Sequence, residues 1–272
     1  METAEGSALI DGLRALRSSI IFGRKGSIIW DSWEMWMLQI FILPLTQMAF
    51  FAFLAGSINH SASDVQYVVI GNAIQTMSFS AVFSVANITS QDKWQGTLTG
   101  IIVSPANRMA LLVGRASFQI VMSTMISAIG LVYAHFLFGV SFYGADFTGV
   151  ILILVITSVT MMGFGLLISS IGLYLRTAMI MANVFLFISL LVCGVNFPIY
   201  YLPSWLRVLS YVIPMTYGVS AMRLAISGSS IPELSGIIFT EISVGIIVIL
   251  VAYVLMKLFE YLARKTGRLE QY

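Results

Sequence analysis

The sequence predicts an all-α polytopic membrane protein with six transmembrane helices, an N-terminal interfacial amphipathic helix and an outer re-entrant helical hairpin before the sixth span. The first observation is compositional, since 58% of the 272 residues are hydrophobic and only 10% are charged, whereas soluble domains carry about 25% charged residues. The second is a series of apolar runs long enough to cross a bilayer. The third is the uneven distribution of Lys and Arg, which orients those runs. Residues 1–272 are predicted to form a single transmembrane domain.

The N-terminal segment, residues 8–30, is predicted to lie along the membrane surface. Its apolar residues recur at helical spacing while its charged residues fall off that line, and it carries too many charges to span the bilayer. The apolar stripe consists of Leu9, Leu13, Leu16 and Ile20.

The first two spans are predicted at residues 37–56 and 67–90. Pro44 predicts a kink in the first, because its ring removes one backbone hydrogen bond from the helix and crowds the preceding turn. The second span is unusually polar, and such groups cost free energy against acyl chains. It should therefore face either protein or a transport pathway, and both interpretations stay open. Its candidate pathway residues are Asn72, Gln75, Thr76 and Asn87.

Four further spans are predicted at residues 109–138, 147–175, 178–196 and 236–256. Glu241 lies in the last of them. An acidic side chain inside a membrane span is a candidate functional group, so Glu241 joins the candidate pathway residues. The alternative is that it lies close enough to the start of the span to meet water.

Residues 197–232 are predicted to form one or two outer re-entrant helices rather than a seventh span. Arg207 and Arg223 lie near the two ends of the apolar part, and Pro214 lies in its middle, while Pro198 and Pro203 precede it. With six spans, every Lys and Arg except Arg207 and Arg223 falls on one side, 12 of the 14 in total. This asymmetry predicts that both termini are cytoplasmic and that the protein lies in the inner or plasma membrane.

The sequence carries no recognisable catalytic motif. It has no HExxH, GxSxG or GxxxxGK[ST] pattern, and its single cysteine, Cys193, excludes an internal disulfide. His60 and Asp64 in the first outer loop are interpreted as a solvated pair rather than a metal site. The chain is therefore predicted not to be an enzyme and to bind no metal, cofactor or nucleic acid. An intramembrane enzyme using Glu241 and His135, or an accessory membrane protein, is the remote alternative.

Residues 91–108, with the sequence QDKWQGTLTGIIVSPANR, join the second and third spans on the predicted cytoplasmic side. Charge, a turn-forming glycine and a proline occur together there. A mechanical input from the cytoplasm would act most directly on this segment.

Two stretches give the chain a resemblance to the ABC-2 permease family, the membrane subunits of type V ABC exporters. The first is DKWQGTLTGIIVSPANR, residues 92–108, which is similar to the charged turn, GTL and Ser-Pro of the family. Thr99, Gln91 and Gln95 depart from that pattern. The second is residues 197–223, which resemble the outer helical hairpin of the family. Its matching residues are Pro198, Pro203, Leu206, Leu209, Pro214 and Arg223.

The resemblance implies a transport subunit that works with other chains. It implies a second permease chain, identical or related, and separate ATPase subunits that hold ATP and Mg²⁺. The implied ATPase-coupling residues are Gln91, Asp92, Lys93, Trp94, Gln95, Gly96, Thr97 and Leu98.

Two substrate classes are expected within the family. Trp30, Trp33 and Trp36 are mixed with Asp31 and Glu34 before the first span. This pattern resembles the branch that exports hydrophobic small molecules, drugs or antibiotics. Export of a lipid-linked polysaccharide or another glycolipid is the alternative.

Overall fold

The computed structural model describes residue 34 and residues 37–59, 61–96, 108–174 and 178–266, and the predicted all-α class is confirmed over these ranges. The predicted interfacial helix at residues 8–30 lies outside them, as do Thr97 and Leu98 of the predicted coupling segment. A π-helical turn at Leu38–Ile42 and a 3₁₀ turn at Ile199–Tyr201 accompany eight α-helices within the described ranges. These are α1 (Leu43–Asn59), α2 (Ala62–Trp94), α3 (Arg108–Phe136), α4 (Phe147–Tyr174), α5 (Ala178–Val192), α6 (Ser204–Val212), α7 (Met215–Ile226) and α8 (Ile231–Thr266).

Five segments of the described chain are long and apolar enough to cross a membrane, and they correspond to five of the six predicted spans. They are Leu38–Ile58, Ala62–Asp92, Leu111–Phe136, Phe147–Gly172 and Ile231–Phe259. The remaining prediction, residues 178–196, corresponds to α5, which has 15 residues. At 1.5 Å per residue α5 is about 22 Å long, shorter than the bilayer core of about 30 Å. The count of six spans therefore stays a prediction.

The π-helical turn Leu38–Ile42 lies just before Pro44, where the sequence predicts a kink, and the kink itself stays a prediction. Leu43 donates its backbone N–H to the carbonyl of Leu38, five residues earlier. Pro44 has no N–H to continue the regular ladder, so a wider turn before it is a physical consequence of its ring.

Helix α2 forms the centre of the bundle. It packs against α1, α3, α4, α5 and α7. In its most apolar window 78% of the residues are buried, compared with 22% in the corresponding windows of the first span and α8. The polar residues of α2 therefore face mainly protein, as the composition of this span predicts.

Helix α4 approaches α2 on one side and α8 on another closely through small residues. A side chain on Gly165 would collide with Val85 of α2, and one on Gly163 would collide with Ile249 of α8. A side chain on Gly245 of α8 would likewise collide with Thr160 of α4. Glycine at these positions lets backbones pack closely where the bilayer offers no hydrophobic drive to association.

The segment between α5 and α8 consists of two short helices that meet at Ile213 and Pro214. α6 has 9 residues and α7 has 12, lengths of about 14 and 18 Å that cannot cross a bilayer. α7 packs against α2, α4 and α8, whereas α6 contacts α5. Pro214 directly precedes α7, and the re-entrant course of residues 197–232 stays a prediction.

Candidate functional site

A half-open cavity of about 690 Å³ lies between α1, α2 and α5. Its wall combines aromatic and aliphatic side chains with amides and hydroxyls, and no charged side chain of the described chain lines it. The lining residues are Gln39, Leu43, Pro44, Thr46, Gln47, Phe50, Phe51, Gln75, Thr76, Phe79, Ser80, Phe83, Ser84, Ile126, Asn183, Leu186, Phe187 and Leu190. Ligand pockets in proteins commonly have this mixture and a volume of about 300–1,000 Å³.

The cavity lies near the middle of the second span. Gln75 and Thr76 lie near the midpoint of the Ala62–Asp92 span. Gln75 is 3% exposed and donates from Nε2 to the carbonyl of Leu186 on α5 at 3.1 Å. This hydrogen bond joins α2 to α5 across one wall of the cavity.

The other predicted pathway residues on α2 do not line the cavity. Asn72 is fully buried and donates from Nδ2 to Val68 O at 2.9 Å and to Asn196 Oδ1 at 2.8 Å. Its Oδ1 accepts a hydrogen bond from Gln47 Nε2 at 3.4 Å. Asn72 thus behaves as a packing residue whose partner Gln47 lines the cavity. Asn87 lies about three turns beyond Thr76 along α2.

Glu241 is enclosed by α4, α7 and α8, away from the cavity. It is fully buried, and Thr160 Oγ1 donates to its Oε1 at 3.5 Å. A side chain on Gly218 of α7 would collide with Thr157 and approach Glu241 Oε1. The suggestion that Glu241 meets water at the start of its span is wrong, because α8 begins at Ile231 and carries Glu241 almost three turns into the bundle.

At its C-terminal end α2 continues into the predicted coupling segment. Gln91 and Asp92 belong to α2, which ends at Trp94, and the chain turns at Gln95 and Gly96. Gln95 N donates to Gln91 O at 2.9 Å, and Gly96 adopts φ 66°. The first part of the coupling segment is therefore a direct extension of the second span rather than a separate helix.

Asp92 faces α3 instead of the surface. Its carboxylate accepts from Arg115 Nη1 at 2.7 Å (Oδ2) and 2.8 Å (Oδ1), and Asp92 is 6% exposed. Gln91 and Gln95, its neighbours along the segment, are exposed. The sequence suggested that Asp92 is a charge at the rim of a partner contact, whereas the structure ties it to the neighbouring helix.

The outer end of α2 is joined to α7 and to the turn after α5 by Arg223. This guanidinium donates to the carbonyls of Gly194, Val195 and Tyr67, each at 2.9 Å. It also lies 3.3 Å from the ring centroid of Tyr67, whose hydroxyl donates to Gly194 O at 3.1 Å. We call Arg223, Tyr67, Gly194 and Val195 the outer junction.

The proline residues predicted in this region mark the starts of its short helices. Pro198 precedes the 3₁₀ turn, Pro203 precedes α6 and Pro214 precedes α7. Proline suits these positions because its φ is restricted and a first-turn N–H has no partner within the helix. The prolines therefore stand at the starts of the short helices, and Arg223 connects α7 to α2 and to the turn after α5.

Sequence comparison with known families decides the identity of this architecture. Residues 19–226, more than half of the chain, match the family model described as ABC-2 type transporter. The chain belongs to the ABC-2 type transporter family. The matched residues of this ABC-2 protein include the cavity and the outer junction, whereas Glu241 lies beyond them.

Two curated relatives of this ABC-2 chain are similar over part of their length. The "Probable multidrug ABC transporter permease YbhR" of Escherichia coli (strain K12) is 27% identical over 159 residues. The protein of the same description from Escherichia coli O157:H7 is similar to the same extent. The alignment covers 57% of this chain and 42% of each relative, so the match spans less than half of the relatives' length.

Sequence reasoning missed several residues that build the site of this ABC-2 protein. Gln47 and Asn183 line the cavity, and each is a polar residue in an otherwise apolar run. The cost of placing an amide against lipid is a signal that could have identified both. Arg115 near the start of α3 is a further residue of this kind, because only the packing of α2 on α3 reveals Asp92 as its partner.

Proposed function

We propose that the chain is the permease subunit of an ATP-driven exporter in the inner or plasma membrane, with both termini in the cytoplasm. One observation carries this proposal. The central helix of the bundle, α2, lines a half-open cavity near the middle of its apolar span and continues unbroken into the segment that resembles an ATPase contact. Such a helix joins a ligand site to an energy input, which is what a transport subunit requires.

The cavity would form half of the transport pathway. α1 lies at its margin, and the Phe50 and Phe53 side chains of this helix are 63% and 75% exposed. A second permease chain, identical or related, would cover the open side and enclose a pathway between the two subunits. Lipid would contact the remaining apolar surfaces.

ATP and Mg²⁺ would be bound by separate ATPase subunits, because the sequence has no phosphate-binding loop of the GxxxxGK[ST] type. The exposed Gln91 and Gln95, together with Lys93 and Trp94, would make the contact. Asp92 would act indirectly by holding α2 against α3. Closure of the ATPases would then move these helices as a rigid unit.

The cavity favours a hydrophobic small molecule, drug or antibiotic-like compound as the substrate. Phenylalanine side chains from α1, α2 and α5 supply apolar contact area, and uncharged polar groups lie between them. A lipid-linked glycan would bring phosphate charges, which need cationic partners, and no Lys or Arg lines the cavity in the described chain.

ATP hydrolysis by the complex purified in lipid with its candidate ATPase tests this proposal. The double variant Trp94→Ala with Gln95→Ala removes the side chains of the last residue of α2 and of the first residue of the following turn. Gln66→Ala near the opposite end of the same helix is the matched control. Loss of an anchor residue at an interface costs about 2 kcal/mol or more, so we expect roughly 30-fold weaker assembly for the tip variant. The control should hydrolyse ATP like the wild type. Failure of any ATPase to assemble with the wild-type chain would refute the exporter.

A further inference from the structure

Glu241 carries a carboxyl group that is closed off from the solvent and from the cavity. Its side chain is fully buried, and it does not belong to the cavity wall. Thr157 and Thr160 of α4 and Gly218 of α7 enclose it from two sides. A methyl group on Gly218 would collide with Thr157 and press against Glu241 Oε1. Packing this close leaves little room for a hydrated ion beside the carboxyl group.

No positive charge within the described chain balances this carboxyl group. Helix α4 contains no charged residue. Arg223 is the charged residue of α7, and it directs its donors to the carbonyls of the outer junction. Lys257, the first cationic residue after Glu241 on α8, lies about four turns further along. An ionised carboxylate at this place would be an unbalanced charge, which is costly inside a membrane.

The other titratable groups on the enclosing helices are occupied elsewhere. Glu233, about two turns before Glu241 on α8, accepts a hydrogen bond from the backbone at the start of that helix. Asp146 directly precedes α4 and accepts from two backbone N–H groups there. Tyr217 of α7 donates its hydroxyl to the carbonyl of Tyr211 at 3.0 Å. Glu241 is therefore electrostatically isolated within these helices.

The hydroxyl groups around Glu241 supply too few hydrogens for a carboxylate. Thr160 Oγ1 lies 3.1 Å from Thr157 O and 3.5 Å from Glu241 Oε1. It has a single hydrogen, and the shorter contact to the carbonyl competes for it. In the described chain Glu241 Oε2 has no donor, and Thr157 Oγ1 has no hydrogen-bond partner. A carboxylic acid fits this environment better than a carboxylate, because it contributes an O–H of its own.

We propose that Glu241 is a proton-binding site and that its O–H group donates to Thr157 Oγ1, so that the neutral acid joins α8 to α4. One hydrogen would then satisfy both of the buried atoms that lack partners. In water a glutamic acid is ionised at neutral pH, so separation of α7 or α8 from α4 would pass this proton to water. The site links the packing of three helices to the release of one proton, and it does so whether or not the chain is an exporter.

Infrared spectroscopy of the full chain in phosphatidylcholine nanodiscs tests the protonation of Glu241. The C=O stretch of a protonated carboxyl group is resolved from the stretches of a carboxylate. We expect the wild-type spectrum minus that of Glu241→Gln, at neutral pH, to contain the band of a protonated acid. Glu233 is exposed in the first turn of the same helix, so the matched difference for Glu233→Gln should contain carboxylate bands.

The pH dependence of stability is a second measurement. Ionisation opposes the closed packing, so the contribution of Glu241 to stability should be retained at low pH and lost as the pH rises. Glu241→Gln has nearly the same size and cannot ionise. Between neutral and alkaline buffer, the thermal midpoint of the wild type in detergent should fall by about 4 °C more than that of this variant. Glu233→Gln should behave like the wild type.

Substitution of Thr157 tests the acceptor. Thr157→Val keeps the shape of the side chain and removes the oxygen, so the C=O band of Glu241 should shift in frequency. Thr148→Val is the matched control, because Thr148 is exposed at the start of the same helix and its loss should leave the band unchanged. An unshifted band in a folded Thr157→Val chain would overturn the role of Thr157.

Three results would overturn the proton site itself. They are carboxylate bands for Glu241 at neutral pH, a midpoint of Glu241→Gln that falls as steeply as that of the wild type, and loss of the protonated-acid band when sodium replaces choline in the buffer. The last result would assign the site to a metal ion. If Glu241→Gln does not fold, the other chains decide: absence of a protonated-acid band in the wild type refutes the inference, and a band that survives Asp92→Asn supports it.

Discussion

Substitution of Arg223 by Ala should open the outer junction locally without dismantling the rest of the bundle. Arg223 makes three hydrogen bonds to main-chain carbonyls on two other segments, and its guanidinium covers the ring of Tyr67. Alanine removes all of these contacts at once. The carbonyls of Gly194 and Val195 lie just beyond α5, in a turn where Gly194 adopts φ 71°.

The size of the effect follows from the number of bonds lost. Hydrogen bonds measured inside membrane proteins average about 0.6 kcal/mol, so three are worth about 2 kcal/mol. The scale for bonds to charged groups in water-soluble proteins gives about 5 kcal/mol. The lower figure already corresponds to a roughly 30-fold increase in the population of the opened junction.

Cys193 provides a reporter for this opening. It is the single cysteine of the chain, is fully buried and directly precedes Gly194. Labelling by N-ethylmaleimide in nanodiscs measures how often the thiol becomes accessible. We expect Arg223→Ala to be labelled at least about 30-fold faster than the wild type.

Arg207→Ala is the matched control for this experiment. Arg207 donates to the carbonyls of Tyr200 and Leu202 within its own local turn, so its loss should leave Cys193 protected. Equal labelling rates in Arg223→Ala and Arg207→Ala would refute the assignment of Arg223 as the residue that holds the junction.

Glycine substitutions in α2 and α8 and a charge reversal between α2 and α3 provide three further tests. Gly71→Ala places a methyl group against the carbonyl of Val195 and Nη2 of Arg223, so the midpoint temperature of thermal unfolding in detergent should fall. The methyl group of Gly236→Ala meets nothing within 4 Å, so this substitution should stabilise α8 by roughly 0.5–1 kcal/mol. Reversal of the Asp92–Arg115 ion pair, by Asp92→Arg together with Arg115→Asp, should restore part of the ATP hydrolysis by the complex that either single change abolishes. If the double variant couples no better than the two single variants, the pair does not act through its mutual attraction.

The membrane spans were predictable because their physical signal is local. A run of about twenty apolar residues has few alternatives to crossing a bilayer. A proline in the middle of such a run disfavours one continuous helix, and Pro214 lies between α6 and α7. The end of α5 was less accessible to such reasoning. The run continues to residue 196 in the sequence, but Gly194 turns the chain, and Arg223, 29 residues later, holds the turn in place.

The cavity and the ion pair depend on which helices become neighbours, and periodicity does not contain that information. Gln75 was identified as a candidate because an amide in a span needs a partner, yet its partner Leu186 lies 111 residues away. Asp92 was assigned to the ATPase contact because its segment resembles the charged turn of the ABC-2 permease family. Its burial against Arg115 appears only once α2 and α3 are packed together.

The length of α2 has a mechanical consequence. Its 33 residues form a rod about 50 Å long, fastened to α3 near one end by Asp92 and to α7 near the other by Tyr67. Because α2 continues unbroken between these two contacts, a tilt of about 5° at its C-terminal end becomes a displacement of about 4 Å at the N-terminal end, a rigid-body shift of the kind that packed helices undergo. The cavity lies between these two contacts along α2, so its walls would move whenever either end of the helix moves.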